Sequence, residues 1–359
     1  MSNYQLRVEN DDYTLLAWLK DYKSLKYRQV LNGVGYCEIE MHPDDSKIDD
    51  IALMKRLKLI RDGTVVFGGL IQRINWQIPQ AAPQGEMWKF YARDHAEYAT
   101  WRLCLPTGGN AYEEEGPDDS ADVLKDFVYM NMGLGAAVAR RFSDLTIAAD
   151  NHDGDSITAQ SRYGILHNVL QTLAGIHDLD WRFYPGASGC TFDCKALWGL
   201  DRTQGNGVND ECVFTKDRHN FLSMAYTKDA TAHFNYVYVG GQGEGTDRAI
   251  VERSTAGDIT TYKRRERFID ARQLSVTASL QERGDAALTE LQAIESMNVL
   301  PTTETWKASS GTTWDLGDQV TVYVHEYGRD FSYDGKIVGL DVTLTSGELE
   351  KAVPILEAV

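Results

Sequence analysis

The segment Asp150–Asp155, with the sequence DNHDGD, has the oxygen-rich composition of a calcium-binding loop. An EF-hand loop places carboxylates at its early positions, glycine at the sixth and a bidentate glutamate at the twelfth. In this segment His152 stands third, Gly154 stands fifth, and Ser161 occupies the twelfth position. The spacing therefore predicts a solvated turn, and weak cation binding remains as the alternative.

Cys190 and Cys194 are separated by three residues, so on a strand both thiols would share one face with Phe192. A structural zinc site usually has two residues between paired cysteines and needs a second pair, whereas only Cys212 follows nearby. The pattern favours buried, reduced thiols. A zinc or iron–sulfur ligand set formed by Cys190, Cys194 and Cys212 remains the alternative, and we expect no metal and no cofactor.

Glu113–Glu115 and Asp118–Asp119 could supply the two carboxyl groups that a glycosidase uses as acid and base. They lie in a stretch over 107–119 that is rich in turn-forming residues, which favours a solvated polar loop. The histidines form no HExxH zinc motif, and no serine stands in a GxSxG elbow. The sequence thus predicts no catalytic residue and no enzymatic activity.

The run Gly240–Gly245 follows a predicted strand and resembles a phosphate-binding glycine loop. Such a loop functions when a helix begins directly after it, because the N–H groups at the helix N-terminus then point at the phosphate. Residues 246–255 have no helical stripe, and Glu244 would repel a phosphate. We therefore predict a flexible loop tip.

The composition narrows the class of partner. The 53 acidic residues outnumber the 36 Lys and Arg residues, which gives a net charge of −17. Such a chain is a poor non-specific binder of nucleic acid, although an acidic wall would let DNA slide past.

No run approaches 18 apolar residues and no signal peptide is evident, so we expect no membrane insertion. The 8 Trp and 18 Tyr residues could form a carbohydrate platform, but β cores and protein interfaces are the favoured use.

The elements that would position these residues begin with strands. Tyr36–Met41 alternates, with Cys37, Ile39 and Met41 on one face. Asp62-Gly63 predicts a hairpin turn between two further strands. Gly68-Gly69 in the second of these strands indicates a bulge or a sharp bend.

The middle third has a mixed pattern that predicts an α+β region. A first helix is expected from Ser120, with apolar residues at helical spacing at Val123, Leu124, Phe127 and Val128. A second helix is expected from the stripe Ile165, Leu166, Val169, Leu170 and Leu173, with Gly175 near its C-terminal cap. Strands over 179–184 and 190–196 follow.

The last third is again rich in strand patterns. Strands are predicted over 220–226, 235–239, 319–324 and 338–344, and Asp334-Gly335 predicts a turn before the last of them. A helix is predicted over 280–296 from its apolar face.

The order of these segments resembles the tail-hub family of long-tailed bacteriophages, which is similar in fold to the baseplate hub of contractile-tailed phages. The resemblance rests on YRQVLNGVGYCEIEMHPDD, RLKLIRDGTVVFGGLIQRINW, LDWRFYP, FLSMAYTKDATAHFNYVYVGGQGEG, FIDARQL, TWDLGDQVTVYV and DGKIVGLDVTL, taken in that order. It spans nearly the whole chain, and its motifs are strand, turn and glycine patterns rather than catalytic signatures.

The resemblance implies a mainly β fold with two tube-like β-barrel modules, the first interrupted by an α+β domain and the second by a helical segment. The expected boundaries are a first barrel at 1–100 and 205–231, an inserted α+β domain at 101–204, a second barrel at 232–265 and 300–359, and a helical insertion at 266–299.

The resemblance also implies a function. The expected protein is a structural virion component of the tail tip, made in the bacterial cytoplasm. It would assemble as a homotrimer, join the hexameric tail tube and distal-tail ring to the tip, and form part of the DNA channel. The expected partners are the distal tail protein, the tail tube or tape measure, and tail fibres, with DNA only as passing cargo. Many relatives continue into longer C-terminal modules, so lytic or receptor-binding activity is expected on other chains. A tail-associated cell-wall hydrolase and a carbohydrate-binding adhesin remain the alternatives.

Overall fold

The computed structural model describes residues 3–20, 22–42, 47–78, 87–106, 108–272, 274–302, 314–345 and 350–359. The chain forms two compact units. The first comprises Met1–Ala174, Leu179–Met224 and Asn298–Val359, and the second comprises Gly175–Asp178 and Ala225–Met297. With 47% strand and 19% helix, the protein has the mainly β composition that the sequence predicts.

Strands outnumber helices along the chain. The strands are β1 (Tyr4–Glu9), β2 (Leu15–Leu19), β3 (Tyr22–Val30), β4 (Tyr36–Met41), β5 (Arg56–Arg61), β6 (Thr64–Gln77), β7 (Met87–Asp94), β8 (Glu113–Asp119), β9 (Leu145–Ile147), β10 (Ser156–Ser161), β11 (Asp180–Pro185), β12 (Cys190–Lys195), β13 (Val213–Thr215), β14 (Phe221–Asp229), β15 (Tyr236–Gly240), β16 (Ile250–Ser254), β17 (Glu266–Asp270), β18 (Ile294–Pro301), β19 (Gln319–Glu326), β20 (Arg329–Thr345) and β21 (Lys351–Ala358). The helices are α1 (Glu97–Thr100), α2 (Ser120–Met132), α3 (Leu166–His177), α4 (Ala256–Tyr262) and α5 (Thr277–Glu290), with short 3-10 turns at Ile48–Asp50, Val138–Arg140, Lys216–Arg218 and Gly245–Asp247.

A 13-stranded sheet contains most of the strands of the first unit. Its order is β14-β18-β21-β20-β3-β4-β7-β6-β5-β1-β2, and β19 pairs with both β20 and β13. The pairings from β21 through β2 are antiparallel. Alternating residues fill its core, and Cys37, Ile39 and Met41 of β4 are fully buried, as predicted.

Glycines mark where two strands of this sheet approach closely. The turn at Asp62-Gly63 joins β5 to β6 as predicted, and register shifts occur on both sides of Gly68-Gly69. A Cβ atom on Gly69 would lie 1.8 Å from the Arg93 carbonyl oxygen, so only glycine fits there.

The turn predicted at Asp334-Gly335 is wrong, because both residues lie inside β20. The chain instead reverses at Tyr327 and Gly328, which have φ values of 52° and 71°. Gly335 serves close packing between strands, since a Cβ there would lie 3.0 Å from the Glu357 carbonyl oxygen.

The inserted α+β region has two small sheets, β8–β10 and β9–β12–β11, packed with α2 and α3. Helix α2 begins at Ser120 as predicted, and its predicted apolar stripe is buried. The polar loop predicted over 107–119 is wrong for 113–119, which form β8 paired with β10. Gly175 lies inside α3 rather than at its cap, and Asp178 after the helix has φ 49°.

The second unit contains the sheet β16–β15–β17 covered on one face by α5. Its core comprises Val237, Val239, Ala271, Leu280, Ala287 and Leu288. The predicted helix over 280–296 is correct up to Glu290, but Ile294 begins β18. The segment 232–265 and most of 266–299 lie together in this unit, because β15 pairs with β16 on one side and in parallel with β17 on the other. Within the described residues, no helix combines the length and apolarity needed to cross a bilayer.

Candidate functional site

Buried ion pairs connect the large sheet to the inserted region. Arg56 of β5 lies 2.7 Å from Asp144, and the Tyr13 hydroxyl donates a 2.7 Å hydrogen bond to the same Oδ2 atom. Burial disfavours the Asp144 carboxylate, but these two partners more than compensate and hold its pKa below the usual value. The junction is therefore held by an ionised, hydrogen-bonded aspartate.

Two lysines of the large sheet form further ion pairs at this junction. Lys58 of β5 lies 2.8 Å from Glu9 and donates a 2.6 Å hydrogen bond to the Ala187 carbonyl oxygen. Lys336 of β20 lies 2.8 Å from Asp180, whose side chain is 1% exposed. Paired charges of this kind are costly to break individually, so the inserted region is fixed to the sheet at several points.

Asn32, in the turn between β3 and β4, binds the inserted region through both backbone and side chain. Its amide Nδ2 donates to the Leu179 carbonyl at 2.9 Å, and its Oδ1 accepts from the Trp181 N–H at 2.6 Å. The backbone N–H of Asn32 donates to the Trp181 carbonyl at 3.0 Å. This turn residue thus acts as an added partner for β11, a role that sequence patterns did not indicate.

The loop Asp150–Asp155 caps helix α2. The Ser120 and Ala121 N–H groups donate to the Asp155 and Asp153 carbonyls at 2.8 and 3.1 Å. These bonds satisfy donors that a helix N-terminus leaves without intrahelical partners. The predicted turn is present, and its backbone oxygens serve the helix.

The same loop brings His152 beside Asp118, Asp119 and Asp122, with one potential ligand atom from each within 4.8 Å of the others. Sequence reasoning missed this grouping, because Asp118–Asp122 and His152 are 30 residues or more apart. The Asp122 carboxylate already accepts from the His152 N–H at 3.2 Å and lies 3.2 Å from Lys125 Nζ. These contacts explain the grouping as part of the hydrogen-bond network that caps α2.

The acidic strand β8 places Glu113 in a buried position. Its side chain is 3% exposed and accepts a 2.5 Å hydrogen bond from Asn131 Nδ2. Burial raises the pKa of Glu113 to about 7. Burial, reinforced by Asp126, also raises the pKa of Glu115 to about 7. The expectation of solvated acids is therefore wrong for Glu113.

The cysteines are separate rather than clustered. Cys190 and Cys194 are buried on one face of β12 with Phe192, as the spacing predicts. Burial raises the pKa of both thiols, and it raises the pKa of Cys212 to about 12. Within the described chain, which includes all five cysteines, Cys190, Cys194 and Cys212 do not converge into a group that could bind a metal.

The glycine loop after β15 leads into one 3-10 turn, Gly245–Asp247, and then into β16. No helix begins after these glycines in the described segment 240–255, so the geometry of a phosphate-binding loop is absent there.

Solved structures of phage tail proteins share this fold. The tail protein from Neisseria meningitidis MC58 is 14% identical, with a TM-score of 0.62 over 99% of this chain and 96% of that chain. The prophage MuSo2 43 kDa tail protein from Shewanella oneidensis is 11% identical, with a TM-score of 0.61 over 100% and 98%. The prophage tail protein gp18 from Listeria monocytogenes EGD-e is 10% identical, with a TM-score of 0.56 over 98% and 94%.

The fold is therefore that of phage tail proteins. The chain belongs to the Siphovirus ReqiPepy6 Gp37-like protein family, whose model matches residues 5–350. The predicted resemblance to proteins of long-tailed phages is confirmed. No curated protein matches this sequence.

Proposed function

We propose that the chain is a trimeric hub of a phage tail tip, which joins the hexameric tail tube and distal-tail ring to the tip and surrounds part of the DNA channel. The fold shared with phage tail proteins over nearly the whole chain supports a structural role in the virion. The observation that carries the proposal is the curl of the 13-stranded sheet.

Three contacts indicate that curl. The hydroxyls of Tyr4 on β1 and Tyr27 on β3 lie 3.2 Å apart. These strands are five steps apart in the sheet order, and a flat sheet would separate them by roughly 24 Å at about 4.8 Å per step. Glu350, directly before β21, binds both Tyr4 at 2.8 Å and Arg61 of β5 at 3.0 Å. A sheet that returns on itself in this way supports a tube-like module.

The modules follow from the pairings. We place β1–β7 in the first tube-like module and β13, β14 and β18–β21 in the second. This proposal assigns 205–224 to the second module, because β13 pairs with β19. It leaves 225–297 as a separate insertion, into which the last residues of β14 and the first residues of β18 extend. Two similar modules in each of three copies would form a ring of six, which matches a sixfold partner.

The net negative charge of the chain is compatible with a role in the wall of a DNA channel. A net charge of −17 would repel phosphates, so DNA would pass as cargo without adhering. The distal tail protein, the tail tube or tape measure, and tail fibres are the proposed partners. In this role the chain binds and positions other proteins and performs no turnover.

The mass of the purified chain in solution tests the proposal. Light scattering behind a sizing column should give about three times the 40.3 kDa monomer mass. Electron microscopy of that species should show a ring with a central channel. A chain that stays monomeric both alone and with its tail-ring partner contradicts the hub.

A tail-associated cell-wall hydrolase is the second candidate, because burial raises the pKa of both Glu113 and Glu115 to about 7, as an acid and base pair would require. The 3% exposure of Glu113 counts against this candidate, since a catalytic carboxyl must reach the substrate. A zymogram separates the two functions. Wild-type activity that disappears in Glu113→Gln/Glu115→Gln would support the hydrolase, whereas no cleared band from the wild type supports the hub.

A further inference from the structure

Acidic residues are absent from three stretches of the inserted region. Residues 98–112, 127–143 and 156–177 contain no Asp or Glu, although the chain has 53 of them in 359 residues. At the average density, stretches of this combined length would contain about eight acids. Their charged residues, with histidine taken as neutral, are Arg102, Arg140, Arg141 and Arg162. An acidic protein thus carries a strictly basic group of segments.

The fold brings these stretches side by side. The Tyr163 N–H donates to the Cys104 carbonyl at 2.8 Å, and the Leu166 N–H donates to the Arg102 carbonyl at 2.9 Å. Arg140 Nη2 donates to the Leu103 carbonyl at 2.5 Å, while Arg102 Nε donates to the Arg140 carbonyl at 2.9 Å. Segments that are distant in sequence therefore share one surface, together with the C-terminal end of α2.

Large apolar side chains are exposed on the same surface. Leu103 lies directly opposite Ile165, and the two are 43% and 40% exposed. Trp101, Val138 and Tyr163 add exposed fractions of 38%, 78% and 59%. Strand β8 borders this surface, because Glu113 and Glu115 pair with Ser161 and Ala159 of β10. Among the described residues none of the four arginines lies within 4 Å of a carboxylate, and Arg140 acts on the buried Glu113 only at longer range, where its charge opposes the rise in the pKa of that carboxyl. We name this set the arginine surface: Trp101, Arg102, Leu103, Val138, Arg140, Arg141, Arg162, Tyr163 and Ile165.

The composition of this surface is that of a protein interface. Arginine and aromatic residues with exposed aliphatic neighbours are enriched at binding hot spots, whereas acids and lysines are depleted there. The surface would therefore bind a protein that presents carboxylates.

The opposite end of α2 has the opposite charge. Asp118 and Asp119 precede the helix, and Asp150 approaches from the capping loop. Burial, reinforced by the charges of Asp150, Asp118 and Asp122, raises the pKa of Asp126 in the middle of the helix, which indicates that these carboxylates lie close together. We name Asp118, Asp119 and Asp150 the acidic end. The 13-residue helix, about 20 Å long, separates it from the arginine surface.

We propose that the arginine surface of one copy binds the acidic end of α2 on a second copy of this chain, head to tail. The inference rests on the proposed trimer and names an interface within it. A contact between two arginine surfaces would oppose like charges, whereas a head-to-tail contact pairs opposite charges and can close into a ring. Outside the three stretches the chain carries a net −21, since −17 minus the four arginine charges gives that value, so a second copy supplies the acidic surface required.

Charge reversal tests the interface. Arg141→Glu/Arg162→Glu changes exposed side chains of the arginine surface, and Asp118→Lys/Asp150→Lys changes exposed residues of the acidic end. Each double variant should weaken self-association by about 100-fold, measured by light scattering over a concentration series. In the variant that carries all four substitutions, opposite charges again face each other with their signs exchanged. Its self-association should therefore recover to within about tenfold of the wild type. Lys20→Glu/Lys26→Glu, an equal change in charge elsewhere on the surface, should leave the mass unchanged.

The outcomes separate this inference from the proposed function. A wild-type trimer that both reversed variants retain overturns the interface and leaves the hub standing. Loss of the trimer in both double variants, without recovery in the variant that carries all four substitutions, also overturns the interface. In that case the loss would not be due to broken pairs of opposite charges. A wild type that is monomeric with and without its tail-ring partner overturns the hub and this interface together. Circular dichroism of each variant should match the wild type, which excludes unfolding as the cause of a lost trimer.

Discussion

Arg56 and Asp144 lie 88 residues apart in sequence and form a 2.7 Å ion pair in which their side chains are 13% and 9% exposed. The pair couples β5, the third strand from one end of the large sheet, to the inserted region. Asp144→Asn removes the charge that compensates Arg56, and we expect it to lower the free energy of unfolding by about 3 kcal/mol. Urea unfolding followed by tryptophan fluorescence measures this value.

The pH dependence of this variant follows from the depressed pKa of Asp144. A carboxyl whose pKa is lowered by folding stabilises above its ordinary pKa, and that contribution disappears as the pH falls through the folded value. The wild type and Asp144→Asn should therefore converge in acid. Glu290→Gln, which breaks the exposed pair with Arg283, is the matched control and should cost less than about 1 kcal/mol.

Glu113 should make the protein less stable at high pH. Its pKa is raised from 4.5 to about 7, so its stabilising contribution is complete below pH 4.5 and is lost as the pH rises through 7. Glu113→Gln keeps the neutral form, and we expect it to reduce the loss of melting temperature between about pH 5 and about pH 8. Glu114→Gln, on the exposed side of the same strand, should leave the profile unchanged. An unchanged profile in Glu113→Gln would contradict the raised pKa.

The thiols should be unreactive in the native protein. Burial raises the pKa values of Cys104 and Cys212 to about 12 and also raises those of Cys37, Cys190 and Cys194. A protonated thiol is a poor nucleophile compared with a thiolate. Labelling with a disulfide reagent at neutral pH should be at least about 100-fold slower than in guanidinium. Treatment with EDTA should leave the melting temperature unchanged. A drop in melting temperature with chelator would point to a bound metal.

Gly69→Ala should destabilise the large sheet by about 3 kcal/mol or more, because its Cβ would lie 1.8 Å from the Arg93 carbonyl oxygen. Gly175→Ala provides the matched control. That residue lies inside α3 with open space around its Cβ position, so alanine there should stabilise by about 0.5–1 kcal/mol. Thermal unfolding of both variants measures the difference, and equal effects would show that the close approach at Gly69 is unimportant.

Sequence patterns correctly predicted the strands, turns and helices whose structure depends on residues close to one another in the sequence. The alternation at Tyr36–Met41, the Asp62-Gly63 turn and the apolar stripe of α2 each depend on neighbours within a few residues. Asp334-Gly335 failed because the dipeptide is a good turn in isolation, whereas pairing with β19 and β21 keeps it extended. The polar sequence of β8 has no pattern that predicts a strand, and the segment is extended because it pairs with β10.

The candidate sites were less accessible to sequence reasoning for the same reason. Asn32 has the character of a turn residue, and its contacts with Leu179 and Trp181 depend on how a distant strand packs. His152 interrupts a calcium motif in the sequence, and only the fold places it beside Asp122. One signal was accessible without a structure, namely the absence of acids from 98–112, 127–143 and 156–177.

Strand β20 has 17 residues and pairs with β19 through its first half and with β21 and β3 through its second half. Its last seven residues, 339–345, therefore join the proposed second module to β3 of the first by direct strand pairing, with no linker between the two paired strands. A pull or twist applied to one module would pass into the other through these hydrogen bonds, and separating the modules here would require shearing the β20–β3 ladder along its length. In the proposed tail-tip hub, such a continuous sheet would transmit mechanical load when the tip meets a cell surface.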